Sequence, residues 1–376
     1  MINNYLERQI KENFPYQPTL EQEIAVKSLS EFLLSTLADE VFILRCYAGT
    51  GKTSLVGALV KTMDQLQQKS VLLAPTGRAA KVFSAYAGHP AFTIHKKIYR
   101  QRSYSNELTN FSINDNLATN TLFIVDEASM ISNEGLSGSV FGTGRLLDDL
   151  IQFVYSGQGC RLLLMGDTAQ LPPVGEELSP ALFTDALKGY GLEVREIDLT
   201  QVVRQVQESG ILWNATRLRQ LIVEDECYSL PKIRVNGCPD IKVVLGTELI
   251  EELTNCYDHD GMDETIVVCR SNKRANLYNN GIRAQILWRE DELNTGDMLM
   301  VAKNNYYWTE QYKEMDFIAN GEIAVVRRVR RTREMYGFRF AEVTLRFPDQ
   351  NDFELDANLL LDTLHSDSPA LPKADN

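Results

Sequence analysis

The nine residues CYAGTGKTS at 46–54 constrain this chain more than any other segment. They follow the apolar run VFIL at 41–44 and precede a stretch from 54 to 66 whose apolar residues recur at helical spacing. A strand passing through a glycine turn into a helix leaves backbone N–H groups at the helix N-terminus, where they bind anions. The segment therefore reads as a phosphate-binding loop made of Ala48, Gly49, Thr50, Gly51, Lys52, Thr53 and Ser54. Its glycines let the backbone curl around the phosphates of ATP, Lys52 reaches the β- and γ-phosphates, and Thr53 offers a hydroxyl to Mg²⁺. The usual pattern opens on glycine; here that position is Cys46, and some backbone strain is expected there.

Around this loop, short apolar strands alternate with helices. Strands read at SVLLAP, TLFIVDEA and CRLLLMGD, with helices at 21–37, from 78, and at 144–155. Strands that are continuously apolar imply a parallel sheet covered on both faces, so the fold class is α/β of the P-loop, RecA-like type over residues 1–205. A polar, Asn- and Ser-rich stretch at 99–121 interrupts the pattern and reads as an inserted hairpin. A second, partial α/β segment follows over 206–293, with a helix to 222, a strand at 265–269 and a helix at 273–287. From 294 to 365 alternating strands predict a small β-barrel or sandwich, and 366–376 reads as a flexible tail.

A chain of 376 residues that is 44% hydrophobic can bury a core in two or three domains. The net charge of −13 excludes a protein that coats nucleic acid with its whole surface, yet leaves room for a local basic groove. Two basic clusters stand out: His95, Lys96, Lys97, Arg100 and Arg102, and five arginines between Arg327 and Arg333. No apolar run approaches a membrane span and the first residues lack a signal-peptide core, so a cytoplasmic protein without membrane contact is expected. The six cysteines form no CxxC pair and are expected as reduced thiols.

Two further segments carry chemistry. In TLFIVDEAS, Asp126 at a strand end suits Mg²⁺, and the adjacent Glu127 suits orienting and deprotonating a water. In LLLMGDTAQLPPVG, Asp167 and Gln170 follow another strand, and the Gln170 amide is placed to sense a γ-phosphate. The acidic run DHDGMDE lacks the spacing of a calcium loop and reads as a polar turn.

Taken in order, GTGKT, APTGRAAK, TIHKKIY, IVDEASM, GDTAQLPPVG and LTQVVRQ resemble the superfamily 1 DNA helicases, and among them the RecD-like, exodeoxyribonuclease V alpha-subunit group. The likeness runs from about Thr19 to Arg274. It implies two RecA-like domains, ATP and Mg²⁺ between them, single-stranded DNA or a duplex junction across their tops, and movement toward the 3′ end of the bound strand in repair or recombination. It implies that Gln22 reads the adenine edge and that Arg204 is an arginine finger. It further implies DNA contacts from Pro75, Thr76, Arg78, Lys81, Thr93, His95, Lys96 and Lys97, a strand-separating pin at 99–121, and a DNA-touching insertion after 294. The family's later glutamine-glycine and arginine segments do not occur, so the chain is expected to be the N-terminal portion of such a helicase. Two other functions stay open: a nucleotide-dependent single-stranded DNA clamp that does not unwind, and a subunit of a nuclease or repair complex.

Overall fold

The computed structural model describes residues 2–101, 111–135, 141–173, 175–202, 209–224, 230–302, 305, 307–309, 312, 318 and 321–366. The chain divides into two compact units, 1–241 and 242–376.

The first unit opens with α1 (Ile2–Glu12), α2 (Leu20–Leu34), β1 (Glu40–Cys46), α3 (Lys52–Gln65), β2 (Lys69–Ala74), α4 (Gly77–Ala87), β3 (Ala91–Thr93) and α5 (Ile94–Ile98). It continues with β4 (Tyr99–Gln101), β5 (Phe111–Ile113), β6 (Thr121–Val125), α6 (Leu146–Ser156), β7 (Arg161–Gly166), α7 (Thr184–Lys188), β8 (Glu193–Leu199) and α8 (Gly210–Val223). Six strands form one sheet in the order β3-β2-β6-β7-β1-β8, with every neighbouring pair parallel. This is the α/β, RecA-like architecture expected from the alternation.

Residue parity explains why the strands read as unbroken apolar runs. Phe42 and Leu44 of β1 enter a core with Ile10, Leu29, Phe32 and Leu59, while Val41 and Ile43 enter the opposite core with Leu147, Leu150 and Val154. With both faces covered, each such side chain contributes about 2 kcal/mol through burial. Local signals then set the helix ends. Thr19 and Gln22 form a reciprocal capping box at the start of α2. Thr76 caps α4, which ends on Gly88 in the left-handed region.

The expected hairpin has its base where predicted: β4 and β5 pair antiparallel from Tyr99↔Ile113 to Gln101↔Phe111. Its tip at 102–110 lies outside the described residues. Helix α8, which the sequence reading assigns to a second domain beginning at 206, belongs to the first unit.

The second unit holds α9 (Leu249–His259), α10 (Asn272–Gln285), β9 (Met298–Met300), β10 (Ile323–Met335), β11 (Phe338–Phe347) and β12 (Phe353–Leu360). These four strands form an antiparallel sheet in the order β12-β11-β10-β9. Among the described residues it is an open sheet and not the expected barrel, because the short edge strand β9 pairs with β10 alone. The strand expected at 265–269 finds no ladder partner among the described residues. Ile266 and Val268 are 77% and 86% exposed. An apolar run becomes a strand only where a neighbour supplies its hydrogen bonds. Among the described residues no helix is long and apolar enough to cross a membrane. The five described cysteines are free thiols, and Cys227 lies outside the described residues.

Candidate functional site

Parallel strands end on a common edge, and at this edge the chemistry collects. The loop after β1, Pro75 and Thr76 after β2, Asp126 after β6 and Asp167 after β7 all lie there.

The phosphate loop owes its curl to two glycines, Gly49 at φ 80° and Gly51 at φ 83°. A Cβ at Gly49 would also sit 3.3 Å from a Val202 methyl. Thr50 is buried, and its hydroxyl donates to the Tyr47 carbonyl at 2.8 Å. Gly51 starts α3 with no capping side chain, so the first-turn N–H groups of Lys52, Thr53 and Ser54 suit an anion. The Ser54 hydroxyl lies 3.0 Å from that of Tyr16. The strain expected at Cys46 is absent. Cys46 is the last regular residue of β1, paired with Leu199, and the positive φ angles fall downstream. Burial pushes its thiol up to about 12.

Gln22, expected at the adenine edge, is held from both ends of its amide by the backbone. It is 2% exposed; its amide nitrogen donates to the Thr50 carbonyl at 2.8 Å, and its amide oxygen accepts from the Thr19 N–H at 3.0 Å. The capping box thus doubles as a brace for the phosphate loop.

Opposite the loop, Lys52 Nζ stands 2.6 Å from Asp126 Oδ1 and 3.3 Å from Glu127 Oε1. Burial alone would lower the Lys52 pKa, but the two carboxylates outweigh it and hold it above the ordinary value. Asp126 Oδ1 also accepts from the Glu127 N–H at 2.8 Å, and Oδ2 accepts from the Tyr86 hydroxyl at 2.5 Å. Glu127 sits at φ 54°, a left-handed backbone that costs a non-glycine residue about 1 kcal/mol or more.

The loop after β7 adds Asp167, buried and paired with Arg219 of α8. The Arg219 guanidinium lies 3.8 Å above the Tyr47 ring, which ties α8 to the phosphate loop. Sequence reasoning missed Arg219, since no motif or spacing links it to Asp167. Gln170 Oε1 accepts from the Ser129 hydroxyl at 3.2 Å, joining the β7 loop to the turn after Glu127. Arg204 lies outside the described residues.

Among the described residues no group of three or more His, Cys, Asp or Glu could hold a metal unaided. Thr53 and Asp126 offer hard oxygen donors only, which fits Mg²⁺ completed by the phosphates of a nucleotide.

The segments expected at DNA fall together at the β2–β3 side of the same edge. Thr76 and Thr93 use their hydroxyls to accept the N–H groups of Ala79 and Lys96 as helix caps. Arg78, Lys81 and Lys96 are exposed, and Lys97 Nζ lies 5.7 Å over the half-exposed Phe92 ring. His95 departs from the basic cluster of which it was read as a member. Its ring packs against Tyr99 and Phe141 with centroids at 5.6 and 5.1 Å, and burial pushes its pKa down to about 4. Arg100 pairs with Asp115 at 2.8 Å, and Arg102 lies outside the described residues. The arginines of β10 face a row of acids: Arg327 pairs with Glu354, Arg330 with Asp356, and Arg331 and Arg333 with Glu342.

A parallel sheet carrying a phosphate loop at the end of one strand and an acid pair two strands away defines a P-loop nucleotide-binding domain of the RecA-like kind. Residues 21–220, more than half of the chain, match the family model described as AAA domain, and the chain belongs to that family. Uncharacterized protein R530 of Acanthamoeba polyphaga mimivirus is 23% identical over 367 residues, covering 85% of this chain and 66% of its own length. The ATP-dependent RecD2 DNA helicase of Deinococcus radiodurans is 31% identical over 193 residues, 50% of this chain and 23% of that protein. The chain thus spans less than two thirds of either relative. The unliganded Pif1 structure from a Bacteroides species aligns with a TM-score of 0.38 at 17% identity, over 91% of this chain and 74% of that one. That likeness is too weak to bear on function.

Proposed function

We propose that this chain is the motor core of a superfamily 1, RecD-like DNA helicase, which binds and hydrolyses Mg²⁺-ATP and moves 5′ to 3′ along single-stranded DNA in repair or recombination. One observation carries the reading: Lys52, Asp126 and Glu127 meet within 3.3 Å at the same sheet edge that presents Arg78, Lys81, Lys96 and Lys97. The name of the Deinococcus radiodurans relative supports the same class.

In this reading the loop amides and Lys52 orient the phosphates, and Thr53 and Asp126 would hold Mg²⁺, which when bound would supply positive charge to the γ-phosphoryl. Glu127 accepts a proton from the attacking water, and its neighbour Lys52 gives up its ion pair with Asp126 to the β- and γ-phosphates. Arg204 supplies the finger charge. Of residues 206–293, the part after α8 is assigned to a partial second RecA-like domain, and residues 294–365 to a β-insertion that touches DNA.

The test is ATP turnover with and without oligothymidine, followed by strand separation on duplexes with a 5′ or a 3′ single-stranded tail. Stimulated turnover and opening of the 5′-tailed substrate are expected. Turnover and DNA binding without strand separation would leave the nucleotide-dependent clamp, and no turnover in any condition would overturn the motor reading.

A further inference from the structure

The Asp126 carboxylate is held at both oxygens, by partners of different kinds. Oδ1 receives Lys52 Nζ at 2.6 Å, a flexible ammonium that the phosphate loop also needs, together with the Glu127 N–H. Oδ2 receives the Tyr86 hydroxyl at 2.5 Å, from a ring stacked on the fully buried Phe83 with centroids 5.1 Å apart and planes at 28°. The ring has two soft torsions and is packed against the core beneath α3, so its hydroxyl is fixed in place. Tyr86 stands on α4, the helix capped by Thr76 that carries Arg78 and Lys81 one turn into its exposed side.

We propose that Tyr86 is the positioning residue for the carboxylate that takes Mg²⁺, and the contact through which α4 is linked to that carboxylate. The proposal rests on the reading of the site as one for Mg²⁺-ATP. A ligating carboxylate keeps its direction only if something other than the metal holds it, and loss of such a partner weakens metal affinity by about 10- to 100-fold. When Lys52 turns to phosphate, Tyr86 and the Glu127 N–H are what remain on Asp126. Any displacement of α4 by a ligand on Arg78 and Lys81 moves the Tyr86 hydroxyl and so reorients Oδ2.

The experiment uses the full chain and the variant Tyr86→Phe, which keeps the stacked ring and removes only the hydroxyl. Binding of a fluorescent, non-hydrolysable ATP analogue is followed across a Mg²⁺ titration, with and without oligothymidine, and in EDTA. The variant should match the unaltered chain in EDTA, need about ten-fold more Mg²⁺ for half-saturation, and lose the shift that oligothymidine causes. Superimposable Mg²⁺ titrations overturn the positioning role, and a weakened Mg²⁺ response that still shifts with oligothymidine overturns the link through α4. If the unaltered chain binds the analogue without regard to Mg²⁺, the reading of the site itself falls, which is a different result from either.

Discussion

Lys52 serves two partners, and each of its substitutions should report on both. Lys52→Ala removes the phosphate ligand and strips Asp126 and Glu127 of their cation. Fluorescent ATP-analogue titration should show binding lost, and urea denaturation a stability lower by about 1–2 kcal/mol, the cost of leaving a part-buried charge without its donor. Undiminished binding would mean the loop does not grip phosphate. Glu127→Gln keeps the shape and removes only the proton acceptor. Mg²⁺-nucleotide binding should persist while turnover falls by about 10²–10⁴-fold; equal loss of both would make Glu127 a structural residue. His95 offers a pH test of packing. Its folded pKa of about 4 lies below the ordinary 6.5, so between those values the unfolded chain binds a proton that the folded chain refuses. Stability is complete above pH 6.5 and declines as pH falls toward 4. Urea midpoints at pH 7 and pH 5 should differ less in His95→Phe than in the unaltered chain, and an unchanged difference would place the titrating group elsewhere.

At the scale of elements, two basic stretches with similar composition come apart. The α4 and α5 segments present Arg78, Lys81 and Lys96 on the exposed side of the nucleotide-binding edge, and on β10 four of the five arginines pair across the sheet with Glu342, Glu354 and Asp356. A ladder of exposed pairs is worth little to stability, but it cancels charge that phosphate would otherwise feel. Reversing Lys96 and Lys97 should weaken oligothymidine binding and reduce the salt slope by roughly 1.4, at about 0.7 per phosphate contact. Reversing Arg331 and Arg333 should leave that slope nearly unchanged. Anisotropy across a salt series measures both, and the opposite ranking would move the DNA path to the β-sheet. The element boundaries were largely legible, because strand-loop-helix periodicity is a local property. The strand expected at 265–269 was not, because pairing needs a partner that local pattern does not report.

For the molecule as a whole, the described groups assigned to the phosphates and Mg²⁺ lie in the first unit, on one sheet edge. A ligand that binds only the folded form at 100 times its dissociation constant should stabilise that unit by about 2.7 kcal/mol. Thermal unfolding with Mg²⁺ and an ATP analogue should show the shift, and Lys52→Ala should abolish it; a shift that survives in the variant would locate the nucleotide away from this edge.

The sequence by itself determined the α/β class, the phosphate loop and the acid pair, since each is written in consecutive residues whose spacing is read within one turn or strand. Only the tertiary structure decided which side chains meet. Tyr86 and Asp126 are 40 positions apart, Asp167 and Arg219 are 52, and Gln22 and Thr50 are 28. It also decided that His95 is buried against aromatic rings and that four of the five β10 arginines are paired with acids. Burial and charge pairing depend on what folds against a residue, and no local pattern carries that information.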